Sequence, residues 1–218
     1  MASRDRVERE KAEHRKRREE LILNTAEKLF LEKGFIATTI GDIAAGCELT
    51  NGAIYLYYKN KNELILKVMT GISLSFGDLL NEKAEETKSL SGFKQVEKLL
   101  GIYNRSYSEF RSYHLLDAQF NLMFCEAYPD TPLLAEYFQA NQRVLEILSE
   151  AVGKGMGDGS IKSRLSARRT AGLLLNTVNS YVEKISIRKK LMEEEQGIRM
   201  EEELRSFIDL LISALTAE

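Results

Sequence analysis

Only two prolines, Pro129 and Pro132, interrupt this chain of 218 residues. No stretch bounded by turn residues alternates apolar and polar side chains with the period of two that a half-buried strand needs. Apolar residues recur instead three and four apart, as they do along one face of an α-helix. The chain therefore reads as all-α. Ile22, Ala26, Leu29 and Phe30 predict a first helix over about 18–32, stopped by Gly34. Thr38 and Thr39 are suitable N-caps for a short segment over 40–45. A break at 46–50 precedes a second short segment, 51–57, and a long helix begins near Asn62. Further stripes run through Val96 to Phe110, through Leu116 to Ala127, over 131–153, from Ala171 to Ile185 and from Leu204 to Leu215.

Composition removes several classes of function. With 44% hydrophobic and 29% charged residues the chain is globular, and it is long enough to bury a core without a covalent or metal staple. Cys47 and Cys125 form no CxxC pair, and His14 and His114 are the only histidines, so neither a zinc site nor any other cofactor is expected. No run approaches the roughly 18 consecutive apolar residues of a membrane span, and residues 1–20 are too densely charged for a secretory signal. A reduced, cytoplasmic setting is the expectation. The formal charge of −2 weighs against indiscriminate nucleic-acid binding. That charge is uneven, however: residues 1–67 carry 13 basic against 11 acidic side chains, residues 68–218 carry 18 against 22.

Two short helices joined by a tight turn and packed on a first helix describe a helix-turn-helix. Ala44, Ala45 and Gly46 let the helices approach, with Ile43, Leu49 and Ile54 as the expected buried side chains. The stretch from Ile22 to Leu64 resembles the DNA-binding domain of the TetR family of bacterial transcriptional regulators. The resemblance rests on AxxLFxxxGF at Ala26–Phe35, the paired threonines, Ile43-Ala44, GxxYxxY at Gly52–Tyr58 and KxKxEL at Lys59–Leu64. It implies an N-terminal three-helix helix-turn-helix domain over 1–67 and a larger C-terminal helical ligand-binding and dimerisation domain over 68–218. One departure stands out: the glycine usual in the turn is replaced by Glu48.

The same resemblance implies that Asn51, Gly52 and Ala53 face the bases of a double-stranded operator. Asn51 is the one able to pair with adenine. It assigns phosphate contacts to Tyr55, Tyr57 and Lys61, with Thr39 or Gly41 offering backbone groups at a helix N-terminus. The charged arm of Arg4, Arg6, Arg9, Lys11 and Arg15–Arg18, interspersed with acids, reads as a solvated extension of the first helix.

Tyr, Phe and Met concentrate in the middle helices. Tyr103, Tyr107, Phe110, Phe120, Phe124 and Tyr137, with the polar Asn176, are the candidates to line a pocket for a small apolar effector. Few acids stand out on those apolar stripes, which disfavours a cationic one. In the TetR family the last helices form a bundle between subunits, which implies a homodimer here with Leu174, Val178, Ile208, Leu211 and Leu215 at the interface. Catalysis finds no support. The run Gly153–Ser160 follows a helix end instead of a strand and lacks the GxxxxGK[ST] order, so it reads as a C-cap and loop. The expected function is a ligand-released repressor that is not an enzyme. Its rival is a helical small-molecule-binding or protein-interaction module whose helix-turn-helix no longer reads DNA.

Overall fold

The protein is described by a computed structural model over residues 2–109 and 111–216, and it contains no strand among them. Its helices are α1 (Ala2–Ala37), α2 (Ile40–Gly46), α3 (Asn51–Tyr55), α4 (Lys61–Glu86), α5 (Gly92–Leu100), α6 (Ile102–Glu109), α7 (Arg111–Met123), α8 (Leu133–Gly157), α9 (Ala167–Gln196) and α10 (Met200–Ser213). They form two compact units. One spans residues up to Met69 plus Phe124–Leu134; the other spans Thr70–Met123 plus the residues from Ala135 onward. The first unit is thus discontinuous, where a boundary at 67/68 had been expected. Its returning segment is tied in by the Thr131 hydroxyl, which donates to the Glu63 carboxylate at 3.0 Å.

In the first unit Ile22, Ala26 and Phe30 of α1 are fully buried at helical spacing, as are Ile43 of α2 and Ile54 of α3. The Phe30 and Phe35 rings meet edge to edge-on face at 4.9 Å. Helix α1 is far longer than its apolar stripe. Residues 6–18 are exposed, but pairs such as Arg6–Glu10 at 2.9 Å and Lys16–Glu20 at 3.9 Å, each one turn apart, favour helix there. Gly34, at φ 79° and ψ 169°, kinks α1 where a stop had been expected.

In the second unit α9 packs along α7 and α10, and α10 also meets α5 and α6. The single stripe expected over 96–110 is divided at Gly101 into α5 and α6. Helix α7 ends at Met123, so Phe124 and Ala127 are not part of it; they belong to the segment that returns to the first unit. The glycine run is also corrected. Gly153, Gly155 and Gly157 lie inside α8, and at Gly155 α5 and the following loop approach too closely for a side chain. A Cβ on Gly92 would stand 1.9 Å from the Gly155 nitrogen, and one on Gly155 2.5 Å from the Ile161 side chain. Only Gly159, at φ 77°, turns the chain.

Candidate nucleic-acid interface

Local hydrogen bonding fixes both short helices. Thr39 caps α2: its Oγ1 accepts from the Asp42 backbone N–H at 3.0 Å, and the Asp42 carboxylate accepts from the Thr39 N–H at 2.8 Å. This reciprocal capping box satisfies two otherwise unpaired donors, and those bonds, with Lys33 nearby, hold the Asp42 carboxyl below its ordinary value. Thr50 caps α3 through its hydroxyl alone, accepting from the Ala53 N–H at 3.2 Å.

Between the helices, Leu49 N–H donates to the Ala44 carbonyl at 2.8 Å and Glu48 N–H to the Ala45 carbonyl at 3.1 Å. These two bonds are a Schellman motif, in which the penultimate position needs a left-handed backbone and normally carries glycine. Glu48 occupies it at φ 55°. Gly46 has a different task, permitting α2 to approach α1. Ile43 and Ile54 are fully buried as expected, while Leu49 is only partly so.

The expected contact residues divide into two groups. Thr39, Asn51, Gly52 and Tyr55 are exposed, and Gly41 and Ala53 are partly so. Gly41 and Asn51 sit side by side: a Cβ on Gly41 would lie 3.9 Å from Asn51 Oδ1, and one on Gly52 would touch nothing nearer than Thr50 Oγ1 at 3.8 Å. These are ordinary contacts, so the fold does not require glycine at either position. What glycine provides there is a bare backbone beside the Asn51 amide. The other group is engaged internally. The Tyr57 ring is partly buried with the Arg15 guanidinium 5.7 Å from its centre. Lys61 donates its ammonium to the carbonyls of Phe35 at 2.9 Å and Thr38 at 3.1 Å, tying the end of α1 to the entry of α2. Arg15, which the sequence places only in the charged arm, packs on the Tyr57 ring. The signal for it in the sequence was the seven-residue spacing to Ile22, which puts both on one face.

The second unit treats the expected pocket residues unequally. Tyr103, Tyr107, Phe120 and Tyr137 are buried, whereas Phe124 is only partly buried and lies in the first unit. Asn176 is exposed, on the outer side of α9, and does not reach the interior. Phe110 falls outside the described residues. The expected interface residues need correction too. Leu174, Val178, Ile208 and Leu215 belong to the chain's own core, and Leu211 packs partly against it. Buried side chains present nothing to a partner. The large apolar residues that α9 and α10 leave exposed are Leu173 at 52%, Ile187 at 55%, Leu191 at 52% and Leu210 at 71%. No helix among the described residues is long and apolar enough to cross a membrane.

The comparisons agree with this geometry. Residues 22–68 match the model of bacterial regulatory proteins of the tetR family. Two similar proteins are HTH-type transcriptional regulators of Bacillus subtilis, both uncharacterised. YerO is 30% identical over 56% of this chain and 40% of its own length; YhgD is 30% identical over 66% of this chain and 72% of its own. The chain spans less than half the length of the first curated relatives it matches, 40% of YerO and 28% of YuxN. Among solved structures, the regulator FadR from Bacillus subtilis in complex with stearoyl-CoA superposes with a TM-score of 0.62 at 18% identity, over 88% of this chain and 97% of that one. At that identity the likeness is one of fold.

Proposed function

The chain belongs to the tetR family of bacterial regulatory proteins, and from that premise we propose that it is a homodimeric, DNA-binding transcriptional repressor, released from a palindromic operator by a small apolar effector. The observation that carries the reading is the pair of side-chain-capped helices that sets Asn51 beside two glycines the fold does not need. A bare backbone next to a polar side chain suits close approach to base edges and phosphates. Direct readout is then sparse, and the shape of the duplex contributes to specificity.

Two-fold pairing of subunits would match the two halves of a palindrome. The exposed Leu173 and Leu210 support a dimer face on the outer sides of α9 and α10. An effector in the second unit releases DNA only if it binds the DNA-incompetent state more tightly. The stearoyl-CoA of the FadR complex supports an effector with an apolar body. The test is selection of a binding site from random duplexes, followed by titration at several salt concentrations. A palindromic consensus with a steep salt dependence supports the proposal. A protein that selects no consensus and shows no salt-dependent binding is instead a helical module that does not read DNA.

A further inference from the structure

Helices α7 and α9 each carry a line of polar residues at helical spacing within the second unit. On α7 these are His114, Asp117 and Asn121; on α9 they are Asn179, Glu183 and Ser186. The two lines face each other. Asn121 Nδ2 donates to Glu183 Oε2 at 3.2 Å, and the buried Tyr103 hydroxyl of α6 donates to Asn179 Oδ1 at 2.7 Å. At one end the Arg111 guanidinium is engaged by the Ser186 carbonyl at 2.6 Å.

This seam is incompletely satisfied. Ser186 is fully buried and its Oγ has no hydrogen-bond partner; the buried Nε2 of His114 has none either. Among the described residues no basic side chain forms an ion pair with Asp117 or Glu183. Burial, then the negative charge of Glu183, pushes the Asp117 carboxyl up to about 6, and burial pulls His114 down to about 4. The seam thus holds two acidic side chains and an imidazole that burial keeps from taking a proton. Buried polar atoms left without hydrogen bonds, as at Ser186 and His114, are unfavourable.

We propose that this seam is the polar end of the effector site, and that it takes a protonated amine attached to an apolar body. The inference rests on the reading of the second unit as effector-binding. His114 Nε2 and Ser186 Oγ lie one turn away along their helices, and the ammonium sits between Asp117 and Glu183, donating N–H to both carboxylates. A quaternary ammonium has no N–H to offer them, and a carboxylate or phosphate meets two like charges. No three His, Asp or Glu side chains of the seam converge as metal ligands. The groups are spread over about two helical turns, roughly 10 Å, which suits an extended organic cation. Tyr107, Phe120 and Tyr137, buried in the same unit, are the rings that its body would meet on entering.

The test compares three ligands with one apolar body, 4-phenylbutylamine, 4-phenylbutanol and 4-phenylbutyrate, by calorimetric titration of the full chain. The expected order is amine, then alcohol, then carboxylate, with the amine at least tenfold tighter than the alcohol. Asp117→Asn is expected to remove most of that preference while leaving the alcohol within twofold. Glu183→Gln reads the same ratio if the first variant does not fold. Equal or tighter binding of the carboxylate, an unchanged ratio in both variants, or binding of none of the three overturns the proposal. Operator binding without added ligand is measured separately, so failure of the amine site and failure of the DNA reading are distinguishable.

Discussion

Gly46 brings α2 so near α1 that a Cβ there would stand 2.7 Å from the Thr25 methyl. Thr25 is β-branched and stiff in a helix, so it cannot turn the methyl aside freely. Gly46→Ala is therefore expected to destabilise by about 1–2 kcal/mol, the gain in helix propensity being smaller than the cost of overpacking. A urea midpoint shifted upward would show instead that α1 and α2 separate at little cost.

Glu48 holds a left-handed backbone at φ 55° in the turn between α2 and α3. Glu48→Gly is expected to raise stability by about 1 kcal/mol, because glycine adopts this conformation without steric cost. It also removes a carboxylate from the face offered to phosphate, so operator affinity should rise. Thermal melts and an operator titration of the variant check both effects.

Lys61 makes two charge-assisted hydrogen bonds to the carbonyls of Phe35 and Thr38. Lys61→Met is expected to cost about 1.5–3 kcal/mol of stability. If Lys61 also touches phosphate, the variant lowers the salt slope of DNA binding by about one unit. A slope equal to that of the unmodified protein leaves the residue with the clamp alone.

Asp117 and His114 make opposite contributions as pH falls. The folded His114, at about 4, resists the proton that the unfolded residue accepts near its ordinary 6.5, so stability is lost across that interval. The folded Asp117, at about 6, takes up its proton before the unfolded residue does at its ordinary 3.8, so stability is gained. Each contribution is about 1–3 kcal/mol, and they largely offset. His114→Gln should thus gain melting temperature between pH 7 and pH 4.5 relative to the unmodified chain, and Asp117→Asn should lose it. Parallel curves for all three proteins would show that neither group is perturbed.

Leu210 and Ile208 are two residues apart on α10, one 71% exposed and the other buried. Leu210→Glu or Leu173→Glu is expected to give a folded monomer by sedimentation. Ile208→Glu is expected to unfold the chain, since it places an unpaired charge in the chain's own core. A dimer that persists in both exposed variants places the subunit contact elsewhere.

The helix-turn-helix was legible in the sequence because its determinants are local. Thr39 and Thr50 cap within three residues, and Ile43 and Ile54 report burial through short-range periodicity. The second unit was less legible. Periodicity shows which side of α9 is apolar, yet Leu173 and Leu174 differ by a single residue and fall on opposite sides of the exposed boundary. Neighbouring helices, not local pattern, decide that boundary. The polar seam was hidden for a related reason: Asn121 and Glu183 are 62 positions apart, and their pairing exists only once α7 and α9 have packed. Gly155 looked like part of a loop because close helix approach and turn formation both call for glycine.

The unbroken run of α1 ahead of its Gly34 kink has a consequence for how a duplex would be met. A helix with its side chains is about 10–12 Å across, whereas the minor groove is only about 6 Å wide. A rod of that girth cannot be threaded between the strands as a limp tail can. Lys11, Arg15 and Arg18 fall along one side of it, in line with Ile22. Any grip they took would be on the sugar–phosphate rails from outside, where contacts carry no information about the letters of the duplex.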